Sequence, residues 1–161
     1  MKLQVKRLSS EAILPTRAYS TDSGYDLYCL LTSSEVTIEP HTVMLIPTGI
    51  TVKLPAPITR TNGDGSVDVI AKEAQVRGKS GLAVKQVLGL GNGIGTVDNS
   101  YVGELKVILL NQSNETKIIK NKQKVAQLVI NEVILPDEVE EIFDVKDTDR
   151  SNNGFGSTGV M

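Results

Sequence analysis

The sequence predicts an all-β domain, arranged as a barrel or a sandwich of short strands. Apolar and polar residues alternate over residues 36–38 and 50–54, which is the period of two typical of a half-buried strand. Residues 105–110 and 125–130 are apolar runs rich in branched side chains, as expected of buried strands. Turn-forming residues separate these runs at short intervals, and this spacing favours a barrel or a sandwich.

Two segments depart from the strand pattern. Residues 56–73 contain a turn sequence at residues 62–65 followed by an alternating run, which predicts a hairpin projecting from the domain. Residues 82–88 are the best candidate for a helix, and it is short. We expect a β-barrel domain over residues 1–149 and a tail over residues 150–161, whose glycine, serine and asparagine content indicates mobility in isolation.

Composition excludes several classes of function. The 161 residues carry 17 basic and 19 acidic side chains, a net charge of −2, which does not predict binding to nucleic acid or to an anionic membrane. The chain has one cysteine, Cys29, and one histidine, His41, so neither a disulfide, a His/Cys zinc cluster nor a Ser-His-Asp triad is expected. No apolar run is long enough to span a bilayer, and we expect a cytoplasmic protein.

The C-terminal tail has a composition suited to a polyphosphate. Three glycines between residues 154 and 159 let successive backbone N–H groups point one way. Phe155, an aromatic residue between two of these glycines, suits a cover for a nucleobase. The cation and hydroxyls that would complete the wrap are Arg150, Ser157 and Thr158. The alternative is a disordered polar tail without a ligand.

Three further segments are candidates for a ligand site. Residues 77–81 combine two cations, a hydroxyl and two glycines, which suits an anionic ligand or, equally, a solvated turn. The glycines of residues 89–103 would let a flat ligand approach the backbone, with Asp98 and Tyr101 facing it. The alternative there is a hairpin with Asn99-Ser100 at its tip. Residues 23–27, taken alone, favour a structural turn.

In order along the chain, these segments resemble the five motifs of the trimeric dUTPases. The matching stretches cover nearly the whole chain, and the third and fifth motifs are highly specific. They are residues 23–27, 78–83, 95–103, 124–127 and 150–159. Two departures stand out. The family usually has Arg where this chain has Lys79, and it usually has Gly-Asp-Arg where this chain has Lys122-Gln123-Lys124. A lysine keeps the charge but not the bidentate geometry of an arginine.

The resemblance implies a jelly-roll-like β-barrel that forms a homotrimer with three shared active sites. Motifs one, two and four would come from one chain, motif three from a second and the tail from the third. The implied reaction is Mg²⁺-dependent hydrolysis of dUTP to dUMP and pyrophosphate, which keeps uracil out of DNA. The implied substrate-binding residues are Lys79, Ser80, Gly81, Asn92, Gly95, Val97, Tyr101, Gln127, Arg150, Phe155, Gly156, Ser157 and Thr158.

The resemblance also implies a role for each group. Backbone atoms around Gly95 and Val97, with the Asn92 amide, would bind uracil, and Tyr101 would pack on the deoxyribose. Asp98 would activate the attacking water. Mg²⁺ would be held mainly by the substrate phosphates and waters. Asp26 would support the residues around the ion without binding it directly.

Residues 56–73 resemble an insert found before motif two in dUTPases of staphylococcal phages. That subgroup also binds a repressor of mobile pathogenicity islands, so repressor binding is a second hypothesis, and a neutral loop extension is its alternative. Deleting residues 57–72 is expected to leave hydrolysis largely intact. Two rival functions remain: a dCTP deaminase, against which Asp98, Tyr101 and the tail argue, and a protein-binding regulator with little catalysis.

Overall fold

A computed structural model describes residues 2–136 and 138–142. Within these residues the chain forms twelve strands and one short helix, which confirms the predicted all-β class. In chain order the elements are β1 (Gln4–Arg7), β2 (Tyr25–Tyr28), β3 (Glu35–Ile38), β4 (Val43–Pro47), β5 (Ile50–Lys53), β6 (Ile58–Thr61), β7 (Val67–Arg77), α1 (Ser80–Gln86), β8 (Leu88–Leu90), β9 (Gly95–Val97), β10 (Lys106–Asn111), β11 (Lys117–Lys120) and β12 (Lys124–Leu135).

The strands pair into four antiparallel sheets. The largest follows the order β2-β12-β7-β6, and β9 also pairs with β7. The others are β4-β10-β8, β1-β5 and β11-β3. Most neighbours in space are distant in sequence, so the pairing could not be read from the alternation of side chains alone. The predicted strands at residues 36–38, 50–54, 105–110 and 125–130 are confirmed as β3, β5, β10 and β12.

One strand organises the large sheet. Along one edge, β7 pairs with β12 from Val69 to Arg77. Along its other edge, two short strands lie end to end: β6 pairs with Val67–Ile70, and β9 pairs with Ala74–Val76. The strand β7 therefore connects the hairpin to β9, the strand that begins at Gly95.

The hairpin at residues 56–73 consists of β6 and the first part of β7. Its turn is closed by a hydrogen bond from the Asn62 N–H to the Ser66 carbonyl at 2.8 Å. Gly65 has φ +86°, a left-handed conformation that favours glycine. The structure differs from the expected projecting hairpin in one respect: β7 does not end at residue 73 but continues to Arg77. The hairpin is thus the extended end of a sheet strand.

The core consists of the inward-facing branched residues of these strands. Val107 and Leu109 on β10 are buried, and the alternate residue Lys106 is exposed, as the period of two requires. Leu27 on β2 and Leu128 on β12 are also fully buried. Burial of each such side chain contributes about 1.5–3 kcal/mol and fixes the faces that the strands turn outward.

The single helix in the described residues, α1, begins two residues earlier than predicted. Lys79 is its N-cap, and Leu82 is its one buried side chain. It ends at Gln86, and its C-cap Val87 has φ 55° and donates its N–H to the Ala83 carbonyl at 3.1 Å. In the described part of the chain, no helix has both the length and the apolar composition required to cross a membrane.

Candidate active site

Asp98 lies immediately after β9, at the start of a tight turn. The preceding residue, Val97, is buried and pairs with Ala74 of β7. The Tyr101 N–H donates to the Asp98 carbonyl at 3.0 Å and closes the turn. A turn with Asn99-Ser100 at its centre is therefore present. It does not cap a two-stranded hairpin, because β9 pairs with β7 and the following strand, β10, pairs with β4 and β8.

The motif-three residues line one cleft of about 380 Å³. The predicted residues Asn92, Gly95, Val97, Asp98 and Tyr101 are all found in its lining. Four apolar residues form much of the wall, namely Leu45, Val76, Leu105 and Ile108, and Thr96, Glu104 and Lys106 add polar and charged groups. The cleft thus combines an apolar wall with a few polar groups, which is the usual composition of a small-molecule site.

Gly95 allows close approach to the backbone of β9. A Cβ at this position would lie 3.2 Å from both Asn92 Nδ2 and Val76 Cβ. A side chain here would therefore press on the Asn92 amide and on Val76. With glycine both neighbours keep their positions, and a flat ligand can approach the backbone of β9 closely.

The Tyr101 ring is held by its own loop. Its hydroxyl donates to the Glu104 carbonyl at 2.9 Å, and the residue remains 46% exposed. A Cβ on Gly103 would overlap the Tyr101 ring, so glycine is required at that close approach. Glu104 in turn accepts the Gly49 N–H through Oε1 at 2.8 Å. The ring is fixed and presents an exposed face next to Asp98.

The strands on either side of the glycine-rich loop belong to different sheets. β8 pairs with β10, whereas β9 pairs with β7. β8 and β9 form no ladder with each other, so the loop between them is not the turn of a two-stranded hairpin. The loop between them turns at Gly93, which has φ +69°.

Asp26 forms the centre of a second cluster. It lies on β2 and is 7% exposed. Lys79 Nζ lies 2.6 Å from its Oδ1, and Lys124 Nζ lies 2.7 Å from its Oδ2. Burial by itself raises the pKa of the Asp26 carboxyl, but the hydrogen bonds and charges of Lys124 and Lys79 outweigh this and leave the pKa below its ordinary value. The hydrogen bond and the charge of Asp26 raise the pKa of Lys124.

Gln127 lies beside Asp26, because the two residues are register partners on β12 and β2. A Cβ on Gly24 would overlap Gln127 Oε1, so a side chain there would have to displace the end of the Gln127 side chain. Asp26, Gln127, Gly24 and Lys79 line a polar cleft of about 280 Å³. Ser80 and Gly81 follow Lys79 in the first turn of α1 and are exposed.

Within one chain, the two clusters are separate. The cleft at Asp98 and the cleft at Asp26 have no lining residue in common. The predicted residues of motifs one, two and four thus group together, and those of motif three group elsewhere. The predicted tail residues lie outside the residues that the structure describes: Arg150, Phe155, Gly156, Ser157 and Thr158.

Sequence reasoning missed two residues. Lys124 was recorded only as a departure from the family motif, although its retained positive charge was a signal that it pairs with a carboxylate. Asn99 was interpreted only as part of a turn. Its amide Nδ2 donates to the Pro55 carbonyl at 2.8 Å and to the Lys72 carbonyl at 3.0 Å. No pattern in the sequence identifies these two acceptors.

Comparison with known proteins identifies the family. The sequence matches the dUTPase family profile over residues 10–159. The chain belongs to the dUTPase family. It is 42% identical to the deoxyuridine 5'-triphosphate nucleotidohydrolase of Clostridium kluyveri, with 100% of each chain covered. It is also 42% identical to the enzyme of the same name from Gloeothece citriformis, covering 99% of this chain and 98% of that one.

Solved structures of phage dUTPases have the same fold. One Staphylococcus bacteriophage 80alpha dUTPase, solved with dUpNHpp, superimposes with a TM-score of 0.75 at 26% identity and covers 99% of each chain. A G164S mutant of that dUTPase gives a TM-score of 0.80 at 24% identity, with 99% of each chain covered. The present chain therefore has the jelly-roll-like β fold of the dUTPases, as predicted.

The acidic groups that the structure describes in this dUTPase do not form a metal cage. Among the described residues, no group of three or more His, Cys, Asp or Glu side chains is arranged to hold a metal ion. Both carboxylate oxygens of Asp26 are engaged by lysines. This donor set fits a Mg²⁺ ion that arrives with a polyphosphate and keeps waters as its remaining ligands, since Mg²⁺ is commonly bound in that way.

Proposed function

We propose that this dUTPase hydrolyses dUTP to dUMP and pyrophosphate with Mg²⁺, at three sites that are shared among the chains of a homotrimer. The observation that carries the proposal is the exposed carboxylate of Asp98 in an apolar-walled cleft, next to the closely approachable backbone of β9. The family and the names of the full-length relatives support dUTP as the substrate.

Uracil recognition is assigned to the Asp98 cleft. The backbone at Gly95 and Val97, with the Asn92 amide, supplies donors and acceptors for O2, N3–H and O4 of the base. Cytosine carries the opposite pattern on its N3–C4 edge, so it would leave polar groups of the site unpaired. Such unpaired groups give strong discrimination. A thymine methyl group would collide with the closely approached strand.

Tyr101 is assigned to sugar recognition. Its ring is fixed through the hydroxyl contact with Glu104 and through Gly103, and its exposed face borders the cleft. Packed against a deoxyribose, this face leaves no room for a 2′-hydroxyl. The enzyme would therefore prefer dUTP to UTP.

Asp98 is assigned as the general base. Its carboxylate orients a water and accepts a proton from it as that water attacks the α-phosphorus, so that the P–O bond to pyrophosphate breaks. Mg²⁺, when bound, neutralises charge on the phosphate oxygens. Asp98 is well placed for this role because the backbone is fixed on both sides of it. Val97 is buried, and the Asn99 side chain donates hydrogen bonds to two backbone carbonyls.

The Asp26 cluster is assigned to the phosphates. Lys79, Ser80 and Gln127 would contact phosphate oxygens, with Gly81 allowing close approach. Asp26 holds Lys79 on its Oδ1 and so orients the ammonium group. The tail residues Arg150, Ser157, Thr158 and Gly156 are assigned to the β and γ phosphates of a neighbour's substrate, and Phe155 to a cover over its base.

The separation of the two clusters supports a site shared between chains. Base-binding and phosphate-binding residues line different clefts of one chain. One nucleotide can contact both the base-binding and the phosphate-binding residues if the Asp98 cleft of one chain lies next to the Asp26 cleft of another. A closed homotrimer brings each cleft to a different neighbour and produces three equivalent sites.

A second role in binding a repressor protein remains the weaker proposal. It is supported by the exposed apolar residues of the hairpin, Ile58 and Val67, and by one structural neighbour, a phage dUTPase described as controlling transfer of virulence genes. Replacing residues 60–68 with a two-residue Asn-Gly turn, together with Ile58→Ser, would remove both exposed apolar residues of this surface. Unchanged repressor affinity in that variant would defeat the idea that the hairpin is the contact.

Pyrophosphate release tests the proposed activity. The purified chain is incubated with Mg²⁺ and, separately, dUTP, dCTP, dTTP and UTP. Release from dUTP alone is expected. Ammonia release from dCTP would instead favour a deaminase on this fold, and the absence of turnover with all four nucleotides would favour a protein-binding regulator. Repeating the dUTP reaction after chelation with EDTA tests the metal, and undiminished turnover would contradict Mg²⁺ dependence.

A further inference from the structure

One edge of β7 has a gap between its two partners. β6 pairs with β7 as far as Ile70, and β9 begins to pair at Ala74. Residues 71–73 lie between the two ladders. The β9 register, in which Val97 lies opposite Ala74, places Asn99 opposite Lys72 if it is continued into the gap. At that point, however, the chain leaves the strand and enters the Asp98 turn.

The Asn99 side chain takes the place of a backbone partner in this gap. Its Nδ2 donates both to the Lys72 carbonyl at 3.0 Å and to the Pro55 carbonyl at 2.8 Å. Lys72 belongs to the hairpin strand β7, and Pro55 precedes the hairpin. One amide group therefore joins the two chain segments at the base of the hairpin to the catalytic turn. Both protons of the amide are used, so the side chain has a single orientation.

This contact determines the direction of the neighbouring carboxylate. Val97 is buried, and Asn99 is bonded toward the sheet, so the residue between them is turned away from β7. The Tyr101 N–H to Asp98 carbonyl bond then fixes the turn. Asp98 consequently has its backbone held on both sides while its side chain faces the cleft.

We propose that Asn99 is a positioning residue, which couples the base of the β6–β7 hairpin to the placement of the Asp98 carboxylate. The proposal rests on the assignment of Asp98 as the general base. A shift of the hairpin base moves the Lys72 and Pro55 carbonyls, and Asn99 transmits that shift to Asp98. A ligand or protein that displaces the hairpin base would therefore change kcat without touching the substrate.

The coupling changes the expected effect of removing the hairpin. Deletion of residues 57–72 eliminates the Lys72 carbonyl and with it one acceptor of Asn99, so hydrolysis is expected to fall rather than remain intact. Replacing residues 60–68 with an Asn-Gly turn preserves both acceptors. Both changes remove the outer part of the hairpin. Only the deletion of residues 57–72 also removes an acceptor of the Asn99 amide.

The test is a steady-state comparison of Asn99→Ala and Asn99→Asp with the parent chain. Asn99→Asp keeps the size of the side chain but directs a carboxylate at two carbonyls. Both variants are expected to lower kcat for dUTP about 10- to 100-fold, since small misplacements of a reacting group have effects of that size. KM is expected to be unchanged, because the Asn99 amide is directed at the Pro55 and Lys72 carbonyls and is not assigned to the substrate. Asn62→Ala is the matched control, since Asn62 lies in the hairpin turn, where its Nδ2 donates to Ser66 Oγ at 3.0 Å. The kcat of this variant is expected to equal that of the parent.

Hydrogen exchange gives a readout that does not depend on turnover. The Tyr101 amide closes the Asp98 turn, so its exchange is expected to accelerate in Asn99→Ala and to stay unchanged in Asn62→Ala. A parent chain without dUTP hydrolysis would defeat the proposed function, whereas the exchange result still tests the link between Asn99 and the turn. An unchanged exchange rate at Tyr101, a parental kcat in a folded Asn99→Ala trimer, or a rise in KM alone would each overturn the inference.

Discussion

The two aspartates assigned to the reaction have opposite environments. Asp26 is buried, and each of its carboxylate oxygens is engaged by a lysine. Asp98 is exposed on a turn, and none of the residues that the structure describes forms an ion pair with it. The backbone around Asp98 is fixed, while its carboxylate is left available. A carboxylate whose oxygens are already engaged organises its neighbours, and a fixed but unengaged one can act on a ligand.

The comparison also explains how two departures from the family pattern are accommodated. An arginine binds both oxygens of a carboxylate with one planar group. Here Lys79 and Lys124 take one oxygen each. Two point charges on opposite oxygens hold Asp26 in place without bidentate geometry. The site thus retains two positive charges where phosphate binding is assigned.

Asp98→Asn is expected to have the largest effect. It keeps the shape of the side chain but removes its ability to accept a proton, so kcat should fall by about 10²- to 10⁴-fold. Affinity for a non-hydrolysable dUTP analogue, measured by calorimetry, should be retained. Substantial turnover in this variant would assign the base to another group.

Asp26→Asn is expected to have the next largest effect, on stability as well as on turnover. Its loss leaves two ammonium groups close together without a counter-charge. Because Asp26 is buried and the lysines are partly exposed, the free energy of unfolding should fall by about 2 kcal/mol. Chemical denaturation measures this change. Lys122→Met, which breaks an exposed pair with Glu11, is the control and should change stability far less than Asp26→Asn does, because solvent screens an exposed pair.

Acid titration is expected to give the smallest effect. The pKa of Asp26 is lowered in the folded chain, so the carboxylate stabilises the fold above its unfolded pKa of about 4 and loses this contribution as the pH falls toward the folded value. As the pH falls below about 4, the parent chain should lose more stability than Asp26→Asn. Parallel loss in the two proteins would show that Asp26 contributes nothing in this range.

The sequence predicted the strands better than their pairing. Alternation at residues 50–54 and the apolar run at 105–110 identified β5 and β10, because burial on one face is a local property of the chain. The partnership of β9 with β7 is not local: it depends on where a strand twenty residues earlier lies. For this reason the sequence left open the alternative of a hairpin with Asn99-Ser100 at its tip.

In the candidate site too, local features were predicted from the sequence and contacts between distant segments were not. Residues that share a sequence motif, such as Asn92, Gly95 and Asp98, were predicted together and line one cleft. Contacts between motifs were not predicted. The Lys124–Asp26 pair and the two acceptors of Asn99 join segments that are far apart in the chain. Only the tertiary structure brings these groups within hydrogen-bonding distance.

Mixing two inactive variants tests most directly the claim that the Asp98 and Asp26 clusters of different chains form one site. Asp98→Asn and Lys79→Met chains are purified separately, unfolded together and refolded, with each variant refolded alone as the control. Mixed trimers are expected to regain dUTP hydrolysis, because some sites then combine an intact Asp98 from one chain with an intact Lys79 from another. A mixture no more active than its two components, despite confirmed exchange of chains, would contradict the account and assign both residues to a site within a single chain.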